Sequence, residues 1–259
     1  FMVGAYIALT LVGLLMGAPG HPAWWVVLGV GGGGAMIACG ILGMAIERTA
    51  YRPIRQASRL NALITAIGMS FFLQNAIMLL YGATDRQVPA LIPALRWNVG
   101  GVSLTLMQLI VWVASGLLML GLHALVMWTK LGIAMRATAQ DLKACALLGI
   151  PVNRVIATTF AIGSAFAAMG GVLFGLHYGT INFHDGYLMG LKAFTAAVLG
   201  GIGNIPGAMA GGLLLGLLEA LGAGYLSAQW KNVFAFVILV VLLLFRPTGL
   251  LGERVGERA

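Results

Sequence analysis

Lys130-Leu-Gly-Ile-Ala-Met-Arg136-Ala-Thr-Ala-Gln-Asp141-Leu-Lys143-Ala-Cys-Ala-Leu-Leu148-Gly149-Ile-Pro151-Val-Asn153-Arg154 is a basic island between two apolar runs, 105–129 and 154–177. Each run is long enough for a helix that crosses a bilayer, which takes ~20 apolar residues. Working outward, further apolar runs follow at about 1–17, 24–47, 60–81, 187–203, 206–226 and 230–246. The fold class expected from this pattern is an all-α polytopic membrane protein with about eight transmembrane helices. The runs are continuous and do not alternate, which excludes a β-barrel.

Composition agrees. Of 259 residues, 60% are hydrophobic and 8% charged, against about 25% charged in a soluble domain. An ordinary soluble enzyme is excluded. The formal net charge of +8 does not point to nucleic acid, because the cations sit in the inter-helix loops. Arg48, Arg52, Arg55 and Arg59 fall in one loop. Lys130, Arg136, Lys143 and Arg154 fall in a second, against the single Asp141. Arg246, Arg254 and Arg258 fall in the tail. Alternating the spans puts all three on one side, which the positive-inside rule makes cytoplasmic. Loops 48–59 and 130–153 and the C-terminus are therefore expected in the cytoplasm. The loops at 18–23, 82–104, 178–186 and 227–229 fall on the other face. They hold or adjoin His21, Pro89, Pro93, Trp97, His177, His184 and Asp185, with Arg86, Arg96 and Lys231 as basic exceptions.

The basic island follows helix logic. Leu142, Lys143, Ala144, Ala146 and Leu147 are good helix formers. Gly149 suits the position just past a helix end, with Pro151 beyond it. Asn153 is expected to cap the next span. On one helix, Ala144, Leu147 and Leu148 would form an apolar stripe, and Arg136, Gln140 and Lys143 would line another face. Two readings fit that chemistry: a surface helix that enters a groove on a partner, or a positive loop resting on anionic lipid.

Ionisable groups inside spans are costly and therefore informative. Lys192 and Glu219 are expected to pair and lock the helices around 187–203 and 206–226, or to serve a translocation path. Gln74 and Asn75 are expected to bond between helices or to face such a path. His123 reads as a satisfied packing residue. Gly200-Gly201-Ile-Gly203-Asn-Ile-Pro206-Gly207 predicts a broken helix, tolerated at membrane depth only against protein or a water-filled cavity. Gly171/Gly175, Gly186/Gly190, Gly207/Gly211 and Gly212/Gly216 have the spacing that lets helix backbones approach closely. No G-x-x-x-x-G-K-[ST] stretch occurs, so the chain carries no P-loop ATPase site. Metal-ligand spacing and a hydrolase constellation are also missing from the sequence. Cys39 and Cys145 read as packing residues, with no disulfide between them.

Several motifs are specific. They are Ile46-Glu47-Arg48-Thr-Ala-Tyr51-Arg52-Pro53; Leu63-Ile-Thr-Ala-Ile-Gly68-Met-Ser70-Phe-Phe-Leu-Gln74-Asn75; Arg136-Ala-Thr-Ala-Gln-Asp141; Leu148-Gly149-Ile; Arg154-Val-Ile-Ala; Leu191-Lys192-Ala-Phe-Thr195-Ala-Ala-Val-Leu-Gly200-Gly201-Ile-Gly203-Asn-Ile-Pro206-Gly207-Ala; and Leu244-Phe-Arg246-Pro-Thr-Gly249. With them, the whole chain resembles the membrane-embedded permeases of bacterial branched-chain amino acid ABC importers, the LivH type.

The resemblance implies a single permease domain over 1–259 in the bacterial inner membrane, preceded in the family by about forty further residues. It implies a second, homologous permease subunit, two ATP-binding cassette subunits that hold ATP-Mg, and a periplasmic amino-acid-binding protein. No cofactor is expected in this chain, and no nucleic acid partner. Arg136, Asp141, Lys143, Ala144, Leu148, Gly149 and Arg154 become the expected ATPase-coupling residues. Ala144-Cys145-x-x-x-Gly149 echoes an Ala-Ala-x-x-x-Gly core, although Lys143 stands where such motifs often carry Glu. Gln74, Asn75, Lys192, Thr195, Gly200, Gly201 and Glu219 become the candidates for a translocation path or helix lock. Thr180-Ile-Asn-Phe-His184-Asp185-Gly186 departs from the more apolar, often Pro-containing segment expected there. The expected substrates are leucine, isoleucine and valine. The alternatives are a urea or short-chain amide permease of the same family, and then a passive channel or secondary carrier.

Overall fold

A computed structural model describes residues 1–17, 24–55, 59–89, 95–99, 102–201 and 203–225, together with Ile92, Trp230, Val233, Val237, Val240, Leu244 and Gly249. Its helices are α1 (Met2–Met16), α2 (Trp24–Ile46), a short α3 (Arg52–Ile54), α4 (Arg59–Tyr81), α5 (Leu106–Trp128), α6 (Lys130–Gln140), α7 (Leu142–Leu147), α8 (Val152–Tyr178), α9 (Asp185–Gly200) and α10 (Ile205–Tyr225). A π-helical turn, Glu47–Tyr51, joins α2 to α3. Seven of the eight expected apolar segments are thus helical. Five helices are long and apolar enough to cross a membrane: Leu28–Ile54, Leu60–Tyr81, Leu106–Trp128, Val152–Tyr178 and Ile205–Tyr225. The eighth segment, 230–246, lies almost wholly outside the described residues, as do His21, Pro93, Lys231, Arg246, Arg254 and Arg258.

The chain divides into two compact units, Phe1–Gly186 and Tyr187–Ala259. In the first, α1, α2 and α8 pack on one another around Ala8, Ala35, Cys39, Ala168 and Val172. Small side chains are needed because the backbones nearly touch. A Cβ on Gly4 would strike Ala168, and one on Gly171 would strike the Phe1 carbonyl. A second cluster sets Tyr6 and Met2 of α1 against Ile77 of α4 and Ile181. By contrast, α5 turns Leu109, Trp112, Val113, Leu117 and Leu120 outward. A contiguous apolar face of this kind suits hydrocarbon or a partner helix and not water.

The all-α class fits, with strands confined to the connections between helices. Two short antiparallel pairs interrupt the helices: β1 (Arg86–Gln87) with β4 (Thr180–Ile181), and β2 (Arg96–Val99) with β3 (Val102–Thr105). In the second pair Val99 faces Val102.

In the second unit, α9 and α10 run antiparallel. Gly200 meets Gly207, Ala196 meets Gly211, and Lys192 meets Glu219, so contact partners move in opposite directions along the chain. These three contacts fall on a four-residue row of each helix, the ridge that packs side chains into a facing groove. Helix α9 ends at Gly200 and α10 begins at Ile205, which places the break where the Gly/Pro stretch predicts it.

Candidate functional site

The joint between α5 and α6 is set by Thr129. Its hydroxyl donates to the Leu125 carbonyl at 2.5 Å and accepts from the Gly132 N–H at 3.0 Å. Helix α6 then stops at Gln140, because Asp141 is extended (φ −150°, ψ 109°). This overturns a single basic face running through Arg136, Gln140 and Lys143. Asp141 carries an acceptor that the backbone of the following residues can use, and that local bond competes with helix continuation. Its Oδ1 accepts from the N–H groups of Lys143 (2.8 Å) and Ala144 (3.1 Å), which makes it the N-cap of α7. The Ala144 bond, then the Lys143 bond, hold its carboxyl below the usual carboxylate range. Arg136 instead turns back, with its guanidinium 3.4 Å from the Met127 carbonyl at the end of α5.

Helix α7 closes as its sequence predicts. Gly149 has φ +80°. Its N–H donates to the Ala146 carbonyl and that of Ile150 donates to Cys145, the paired bonds of a Schellman ending. Cys145 points inward, and both cysteines are free and buried. Leu147 and Leu148 are 89% and 79% exposed, and Leu142 is exposed beside them. Ala144 is half-buried, Lys143 is exposed, and Arg154 stands exposed on the first turn of α8. The coupling candidates therefore do gather on α7 and its flanks, apart from Arg136.

Asn153 does not cap α8; that position falls to Pro151, with no side-chain bond. The proline ring already fixes the φ that a helix start needs. The Asn153 side chain instead accepts from Arg55 Nη1 at 2.6 Å, while Arg55 Nη2 donates to Glu47 Oε1. Glu47 is only 2% exposed, so a buried carboxylate is neutralised by an arginine that also holds the head of α8. None of these three was a candidate from the sequence. The signal for Glu47 was present: it is the one carboxylate at the edge of an arginine-rich loop.

The second group of candidates divides. Lys192 Nζ lies 2.9 Å from Glu219 Oε1 and donates to Oε2 at 3.0 Å, so the expected pair forms. Thr195 is 1% exposed and donates to the Leu191 carbonyl of its own helix. Gly200 and Gly201 are buried, and a side chain on Gly200 would meet the Gly207 backbone. Of these positions, Lys192, Gly200 and Glu219 lie in the contact between α9 and α10. Gln74 is 6% exposed, and its Nε2 meets no acceptor among the described residues. Asn75 is exposed and bonds the Phe71 carbonyl one turn back, so among the described residues neither makes the expected inter-helix bond. His123 Nδ1 likewise meets no partner among the described residues. Asp185 is half-buried and accepts from the Asn182 N–H at 2.8 Å, while Asn182 donates to Asp85. Among the described residues no three acidic, histidine or cysteine side chains group as metal ligands.

The model of the family described as the permease component of the branched-chain amino acid transport system matches residues 1–243. The chain belongs to that family. This permease is 48% identical, over its full length and 85% of the relative's, to the high-affinity branched-chain amino acid transport permease LivH of Escherichia coli K12. BraD of Pseudomonas aeruginosa PAO1 matches to the same extent. A probable LivH of Methanocaldococcus jannaschii is 27% identical over 97% of this chain and 80% of its own. No solved structure matches the permease. Family membership makes the chain a transport subunit of the membrane and not an enzyme.

Proposed function

We propose that the chain is the membrane-spanning subunit of an ATP-binding cassette importer that passes leucine, isoleucine and valine across a bacterial inner membrane. The observation that carries this reading beyond family membership is α7, a capped surface helix with two bare leucines at its end. An apolar knob between polar loops is what a groove on a motor subunit grips. In this reading one permease domain with about eight spans pairs with a homologous permease. Two ATPase subunits hold ATP-Mg, and a periplasmic binding protein delivers the substrate. The arginine-rich loops and α7 lie in the cytoplasm. Asp141, Lys143, Ala144, Leu148 and Gly149 build the coupling surface, joined by Leu147. The α9–α10 row, with Lys192, Gly200 and Glu219, and Thr195 and Gly201 beside it, acts as a helix lock. Gln74, with a spare donor, is the candidate for the path. The permease itself needs only contacts that differ between outward- and inward-facing states.

The test is uptake of labelled leucine and urea into proteoliposomes containing the full complex and its binding protein, with wild type compared against Leu147→Ser/Leu148→Ser. ATP-dependent leucine uptake that the variant loses supports the reading. Urea uptake in place of leucine moves the substrate to the amide branch. Uptake indifferent to ATP leaves a channel or secondary carrier.

A further inference from the structure

A cleft of about 680 Å³ opens where the π turn and α3 meet the head of α8, lined by Arg48, Arg52 and Arg154 together with Met44, Ile150, Val152 and Ala157. The three guanidinium groups are exposed and have no hydrogen-bond or ion-pair partner among the described residues. The acidic side chain in this wall is Glu47, and its charge is already met by Arg55. Three like charges thus face one space uncompensated, which costs energy unless an anion enters. The N-terminus of the 27-residue α8 adds to the positive field, since no side chain caps it.

The apolar part of the lining identifies the kind of anion. Met44 and Ala157 belong to α2 and α8, at the ends of two apolar helices, so the cleft carries apolar side chains beside the basic ones. A free phosphate ion uses only the basic groups, whereas an amphiphile uses both. We propose that this cleft holds an anionic phospholipid, with its phosphate among Arg48, Arg52 and Arg154 and its upper acyl chain against Met44 and Ala157. The site requires neither a particular substrate nor ATP.

Native mass spectrometry of the complete transport complex, stripped in detergent and titrated with phosphatidylglycerol, phosphatidylcholine or inorganic phosphate, tests it. Phosphatidylglycerol should bind in preference to phosphatidylcholine. Each single Arg→Gln variant should weaken it about fivefold, and Arg48→Gln/Arg52→Gln/Arg154→Gln on the order of 100-fold. An Arg→Lys triple variant should keep most of the binding, and Arg86→Gln/Arg96→Gln should leave it unchanged. The single variants keep the test decisive should the triple one fold poorly. Equal retention of both lipids, or retention indifferent to the Gln variants, overturns the proposal. So does binding of inorganic phosphate as tight as that of the lipid, which would make the cleft a soluble-anion site. Loss of ATPase subunits from the Gln variants at unchanged lipid retention would also overturn it, and would assign the arginines to a partner's acidic surface.

Discussion

Two backbone N–H groups converge on the carboxylate of Asp141, although the side chain stands in solvent. Because its folded value is depressed below the unfolded one, the cap is fully effective above the ordinary carboxylate range and is lost as pH falls through the depressed value. Amide exchange at Lys143 and Ala144, corrected for intrinsic rates, should therefore quicken in acid. Asp141→Ala should show that fast exchange already at neutral pH, and Asp141→Asn should largely restore protection. Equal protection in wild type and the Ala variant would refute the capping role. Arg55 works differently. Its removal strands a buried carboxylate, so Arg55→Ala should cost about 3 kcal/mol in the thermal stability of the purified complex, and adding Glu47→Gln should recover part of the loss. At Gly149 the cost is backbone alone, since a Cβ there meets nothing. Gly149→Ala should cost ~1 kcal/mol in the same melt. The roles of Asp141 and Gly149 were half legible in the sequence. Gly149 with Pro151 two residues on announced the stop, and the helix formers from Asp141 or Gln140 onward announced the start, but the bond of Asp141 to the backbone depends on which conformation wins.

At the scale of elements, the α9–α10 contact was the more legible part. Lys192, Ala196 and Gly200 repeat every four residues, as do Gly207, Gly211, Leu215 and Glu219, so small residues and opposite charges announce their own register. The Lys192–Glu219 pair is partly buried, and breaking it from either side leaves one charge without its counterion. Lys192→Ala and Glu219→Ala should each lower folding yield. The double variant should recover about 1–3 kcal/mol relative to the sum of the two. Strict additivity in that cycle would show that the pair does not couple the helices. Neither the α2–α8 joint through Glu47, Arg55 and Asn153 nor the β1–β4 pair could be read in the same way. Their partners lie about a hundred residues apart, and no local periodicity links them.

Over the whole molecule, hydropathy fixed the membrane class and the places of seven helices, because lipid rewards continuous apolar runs whatever their partners. It did not reveal which faces are bare. Helix α5 buries none of its residues against the described part of the chain. Leu117→Arg on this helix should reduce recovery of the permease in the membrane fraction, at a cost of about 3 kcal/mol for the inserted helix, whereas Leu147→Arg on α7 should leave recovery unchanged.

The small β1–β4 ladder and the Asn182–Asp85 bond follow the ends of α4 and α8, at one extremity of the first unit. At the opposite ends of the same helices the tie is of another kind: Arg55, shortly before α4, donates to Asn153 on the first turn of α8. One extremity is joined backbone to backbone, which fixes register, and the other by long side chains, which fix only proximity.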